Sequence, residues 1–115
     1  MENVIVDKSY CFAVRIGKLS KYLQRQKKEY VISRQVLRSG TSIGANVAES
    51  QYAQSTADFI TKLTIALKET GETAYWLRWL RDCDYLTAKE FDSIYSDCIE
   101  IEKILSAIVK TSKNS

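Results

Sequence analysis

Eight basic residues, Arg15, Lys18, Lys21, Arg25, Lys27, Lys28, Arg34 and Arg38, fall within one stretch that holds a single acid, Glu29. Lys18, Lys21, Arg25 and Lys28 follow i, i+3, i+7, i+10 spacing, which sets them along one edge if the first helix continues that far. Cations in such a row can neutralise successive phosphates, and the interleaved Tyr22 and Tyr30 can stack on bases. Lys18, Lys21, Arg25, Lys27, Lys28 and Arg34 are therefore the candidate nucleic-acid contacts. A solvated helix face carries the same kind of run, and spacing alone does not separate the two. A second polar pattern follows: Ser39, Ser42, Asn46 and Glu49 recur at i, i+3, i+7, i+10 beside Arg38, with Glu69 and Glu72 available as its opposite-charge partners. Arg38, Ser42, Asn46, Glu49 and Glu72 can form a hydrogen-bonded network that fixes register between helices. The same stripe can also line a polar groove for a ligand.

Catalytic arrangements fail at the level of residue type. The chain has no His, so Ser–His–Asp and Cys–His sets are impossible and the usual zinc partner is missing. No phosphate-cradling glycine loop is present; the closely spaced Gly40 and Gly44 sit inside a helical pattern. Glu69 and Glu72 share a face, but a di-iron bundle needs histidines beside them. Tyr, Lys and Glu can still support proton transfer. The expectation is nevertheless a non-enzyme with no catalytic residue, no metal and no cofactor.

These residues must be positioned by helices. Zero Pro and four Gly in 115 residues leave too few turn formers for a sandwich or barrel. Phe12, Ile16, Leu19 and Leu23 form the stripe of a first helix over about 3–26, and the charged, unperiodic run from Arg25 to Tyr30 reads as its connection. Ser33 can cap a second helix, 33–51, whose stripe is Val36, Gly40, Ile43 and Val47. Ser55 to Asp58 resembles a capping box and opens a third helix, 56–84, with Phe59, Leu63, Ala66, Thr70, Ala74, Leu77 and Leu80. Thr87 to Glu90 is a full capping box for a fourth, 88–111, with Phe91, Tyr95, Cys98, Ile101, Leu105 and Ile108. Four long helices with short links give an all-α, antiparallel up-down-up-down bundle in one domain, 1–115.

Two features refine that picture. Gly40 and Gly44 each lower helix propensity by up to about 1 kcal/mol, and a close approach of another helix would offset it, with Ala48 extending the row. The third helix also carries Ile60, Ile65, Leu67, Tyr75, Trp76 and Trp79 outside its core stripe. That excess makes Tyr75, Trp76 and Trp79 a candidate oligomer interface.

Charge divides unevenly: residues 1–38 carry net +6 and residues 39–115 carry −3. Three cysteines without a CxxC pair suit reduced thiols. No leader is read at the N-terminus, and no apolar run approaches the roughly 20 residues of a membrane span. A cytoplasmic protein without a membrane partner is expected.

The stretch from Ser33 to Ser50, SRQVLRSGTSIGANVAES, with DFITKLTIALKETGETAYWLRWL from Asp58 to Leu80 and KSYCFAVRIGKL in the first helix, resembles the four-helix-bundle family of ribosomal-RNA intervening-sequence proteins. Arg38, Ser42, Asn46, Glu49 and Glu72 match its polar signature. Members are encoded within insertions in bacterial large-subunit ribosomal RNA genes. A related branch, the accessory proteins of diversity-generating retroelements, assembles as five-fold barrels and binds nucleic acid and a reverse transcriptase through basic surfaces. The resemblance implies a bacterial, cytosolic homo-oligomer, pentameric by analogy, with no catalytic residues. Two functions follow: an oligomeric module that binds RNA or a ribonucleoprotein partner through the basic segment, or a protein-interaction scaffold without nucleic acid.

Overall fold

In the computed structural model, which describes residues 3–114, four apolar periodicities become four helices: α1 (Val4–Arg25), α2 (Ile32–Ser50), α3 (Thr56–Asp82) and α4 (Ala88–Lys113). Met1, Glu2 and Ser115, at the ends of the expected domain, lie outside the described residues. Each helix packs on its neighbours in sequence and α4 returns to α1, which makes an antiparallel up-down-up-down bundle of 46 × 23 × 21 Å. Among the described residues no helix is long and apolar enough to cross a membrane.

Phe12, Ile16 and Leu23 of α1 meet Val36, Ile43 and Val47 of α2, Leu63, Leu77 and Leu80 of α3, and Phe91, Ile101 and Leu105 of α4 in one buried core. Leu19, expected in the α1 stripe, is half-buried, and Ser9 and Ser20 occupy buried α1 positions instead. The small side chains let helices close up. A Cβ on Gly40 would lie 2.8 Å from Ile16, and one on Gly44 would lie 3.0 Å from the Ser9 carbonyl oxygen. Two of the three residues in that row thus account for the α1–α2 approach; Ala48, the third by spacing, is exposed. Between α2 and α3 the buried Thr73 hydroxyl donates to Ser39 Oγ at 2.9 Å.

Helix ends follow local chemistry. Thr87 and Glu90 complete the expected capping box at α4. Ser55 caps α3 by accepting the Asp58 amide, while the Asp58 carboxylate accepts the amide of Gln54, one residue before the cap. The same helix stops two residues short of Asp84, because Asp84 turns left-handed at φ 67° and the Tyr85 and Asp84 amides close back on the Leu80 and Arg81 carbonyls. Ser33 is not the cap of α2: that position is Val31, and the Glu29 carboxylate accepts the Val31, Ile32 and Ser33 amides at 3.2, 3.0 and 2.6 Å. A longer acidic side chain reaching from the connection satisfies three orphan donors, which one serine hydroxyl cannot do.

Candidate nucleic-acid interface

Antiparallel topology puts the end of α1, the α1–α2 connection (26–31) and the starts of α2 and α4 at one end of the bundle. Lys18, Lys21 and Arg25 on α1, Lys27 and Lys28 in the connection, and Arg34 on α2 are all exposed there. None of the six forms an ion pair among the described residues. The other two cations of the cluster are engaged. Arg15 bonds Asp97 at 2.7 Å and the backbone and side chain of Ser93; Arg38 bonds Glu69 at 3.2 Å and Glu72. Glu29, the cluster's one acid, is 8% exposed and turned onto the backbone of α2. Withdrawal of Glu29 leaves the α1–α2 corner itself without an exposed acid, while Asp82 and Asp84 at the end of α3 and Glu90 and Asp92 at the start of α4 stand exposed at the same end of the bundle. Tyr30 and Val31 stand out at its tip, 47% and 67% exposed, while Tyr22 is half-buried with the Lys27 ammonium 6.0 Å over its ring.

A groove runs on from this corner along the α1–α4 seam, the thinnest of the four. Its upper part, about 490 Å³, lies between Lys18, Leu19 and Tyr22 on α1 and Leu86, Lys89 and Ile94 on the other side. Its lower part, about 370 Å³, is closed by polar bridges, Lys8 to Glu100 and Arg15 to Asp97, each 2.7 Å. The lower part sets Asp7, Asp97 and Glu100 against Lys8 and Arg15 and is net acidic; the upper part is apolar at its base, with Arg15, Lys18 and Lys89 against Glu90 at its rim. Lys89 was not legible as part of this surface, because its near neighbours in sequence spell only a helix start.

Besides the buried Thr73–Ser39 bond, the polar stripe of α2 divides into three separate links. Arg38 reaches Glu69 and Glu72 on α3; Asn46 donates to the Ser42 hydroxyl at 3.1 Å within α2; Lys62 donates to Glu49 at 3.3 Å. Arg38 is 53% exposed, so its pairing lies at the bundle surface and not inside it: the side chain is long enough to cross to α3 without entering the core. The Trp76 indole N–H, at 3.0 Å, and then the Arg38 guanidinium hold the Glu72 carboxyl below the usual carboxylate range, against the opposing effect of partial burial. Hydrogen bonding to Glu72 raises the Arg38 guanidinium in turn.

Of the candidate oligomer contacts, Tyr75 is 52% exposed, whereas Trp76 and Trp79 are half-buried, the latter stacked on Tyr85 with ring centroids 5.8 Å apart. Ile60 and Leu67 also pack against the core, which leaves Ile65 and Tyr75 as the exposed apolar residues of α3. A face of α1 outside its core stripe carries more: Tyr10 and Val14, one turn apart, are 68% and 42% exposed.

Among the described residues no group of three His, Cys, Asp or Glu is placed to hold a metal ion. Burial pushes the Cys98 thiol up to about 12, which leaves it inert as a nucleophile.

Comparison with curated proteins gave no match. A solved structure, described as a protein of unknown function from the S23 ribosomal protein family of Bacteroides thetaiotaomicron VPI-5482 at 1.70 Å resolution, is 56% identical to this chain. It superposes with a TM-score of 0.93 over 94% of this chain and 96% of that one. Residues 1–107 match the family model of the 23S rRNA-intervening sequence proteins. With nearly the whole chain matched by the family model, and the fold shared with a close relative, the chain belongs to the 23S rRNA-intervening sequence protein family.

Proposed function

We propose that this protein is a non-enzymatic, oligomeric helical module that binds RNA, or a ribonucleoprotein partner, through the basic end of the bundle. The observation that carries the reading is the set of six exposed cations without ion-pair partners among the described residues, around an acid withdrawn to cap α2. Long-range attraction to a polyanion depends on such uncompensated charge, and structural ion pairs such as Arg38–Glu72 do not supply it. The rival is a scaffold that binds only protein, favoured by the exposed Tyr10–Val14 face.

Salt dependence separates them. Each neutralised phosphate of a single strand contributes about −0.7 to the log–log slope of affinity against salt, so four contacts give a slope near −3. Fluorescence anisotropy of a labelled mixed-sequence RNA across roughly 50–200 mM salt reads that slope. Replacing Lys21, Arg25 and Lys28 by alanine should flatten it and weaken binding with the helical content unchanged. Absence of binding by the unaltered protein at low salt, or identical curves for the two proteins, leaves the scaffold reading in front.

A further inference from the structure

The upper α1–α4 groove has a chemistry that a purely electrostatic surface does not need. Leu19, Tyr22, Leu86 and Ile94 give it an apolar base, while Lys18 and Lys89 face it from two different helices. Both lysines are exposed and neither is in an ion pair among the described residues. Arg15 and Glu90 line the groove as well: Arg15 is paired with Asp97, and the exposed Glu90 carboxylate accepts the Thr87 amide in the capping box of α4, which leaves Lys18 and Lys89 as its unpaired cations. An occupant that matches this lining is apolar in its body and anionic at its edges. An unpaired nucleotide divides its chemistry in that way, with a π-faced base flanked by phosphates. A duplex does not, because its bases are stacked inside and it would offer the groove only backbone. Continuity with the basic corner, through Tyr22 and the Lys27 ammonium above its ring, favours a nucleic-acid strand over an acidic peptide.

We propose that this groove seats an unstacked base of single-stranded RNA, with Lys18 and Lys89 on the flanking phosphates, which makes the interface selective for single strands. The inference rests on the RNA-binding reading above and is tested so that the two can fail separately. Full-length protein is titrated by anisotropy against a labelled oligouridylate and a blunt RNA duplex of equal length. Inorganic polyphosphate, which carries phosphates without bases, competes. The single strand should bind about tenfold more tightly than duplex or polyphosphate, the scale of one stacked base. Tyr22→Leu should remove most of that advantage and leave polyphosphate binding unchanged. Lys89→Ala should weaken the single strand several-fold, while Lys110→Ala, exposed at the far end of α4, should not. Because Tyr22 is half-buried, its variant is judged only if its melting curve is intact; the exposed Lys89 tests the groove regardless. Equal affinity for single strand and polyphosphate, with both groove variants silent and the Lys21, Arg25, Lys28 variant still weakened, overturns the groove and keeps the basic corner. Displacement of the RNA by an acidic amphipathic peptide that binds more tightly also overturns it. No RNA binding at all overturns both.

Discussion

Lys28 holds its backbone at φ 56°, in the left-handed region, where an L side chain costs roughly 1–2 kcal/mol and glycine almost nothing. A helix end that needed only a turn would be served better by glycine, and Lys28 in this conformation stands exposed in the connection. Lys28→Gly should therefore leave stability unchanged or raise it by about 0.5 kcal/mol, the relief of strain less the added freedom of the unfolded chain. The same variant should bind RNA more weakly. Denaturant unfolding beside the anisotropy titration checks both halves, and lower stability with unaltered binding would reverse the argument. Glu72 gives a residue-scale test with pH as the variable. Its carboxyl is held below the usual 4.5 in the folded chain, so the stability it contributes is complete above about 4.5 and is lost as pH falls through the lower folded value. Acid melts should show the unaltered protein losing its advantage over Glu72→Gln in that window. With the carboxylate a third exposed and Arg38 half exposed, the effect should stay below about 1 kcal/mol.

Four glycines sit in helices, and their surroundings assign them opposite roles. Gly44→Leu drives a side chain into the Ser9 backbone, 3.0 Å from where a Cβ would already lie, and should destabilise by about 1–3 kcal/mol or more, because a backbone cannot swing aside. Gly17 and Gly71 have nothing within 4 Å of the same position, so alanine at either should stabilise by about 0.5–1 kcal/mol through helix propensity alone. Thermal unfolding of the three variants decides it: similar shifts for all would mean that close approach has no part in the α1–α2 contact. The contrast also marks what was legible in the sequence. Apolar spacing revealed the helices because burial in a bundle is one-sided and the α-helical repeat is regular. It could not reveal the Glu29 cap, since that side chain reaches back over a connection with no period, nor Lys89, which is brought to α1 only by the antiparallel return of α4. Arg38 was legible as an ion-pair former, but its depth was not, because spacing fixes a face and not how far a long side chain extends from it.

At the scale of the molecule, exposed apolar residues occur at both ends and between them. Tyr30 and Val31 share the tip with the unpaired cations, Val4 and Tyr52 lie at the opposite end, and Tyr10 and Val14 on α1 and Ile65 and Tyr75 on α3 lie between. The last group offers a surface for contact between copies that stands apart from the basic tip. It also changes which substitutions can test assembly. Trp79 is half-buried and stacked on Tyr85, so a charge there should disturb the α3–α4 end of the fold before it disturbs any contact between copies. Tyr10 and Val14 are exposed one turn apart, and Gly17 on the same helix has open space around it. Val14→Glu, alone or with Tyr10→Glu, should therefore lower the assembled mass without shifting the melting temperature by more than a surface substitution does, within about 0.5 kcal/mol. Light scattering at micromolar concentration should give the unaltered protein a mass several times the 13.1 kDa of one chain. Tyr75→Glu serves as the counter-test on α3: if it alone disperses the assembly, the third helix carries the contact and the α1 face is left for another partner. A mass of one chain for the unaltered protein would remove self-association altogether, and the basic end would then have to act in single copy.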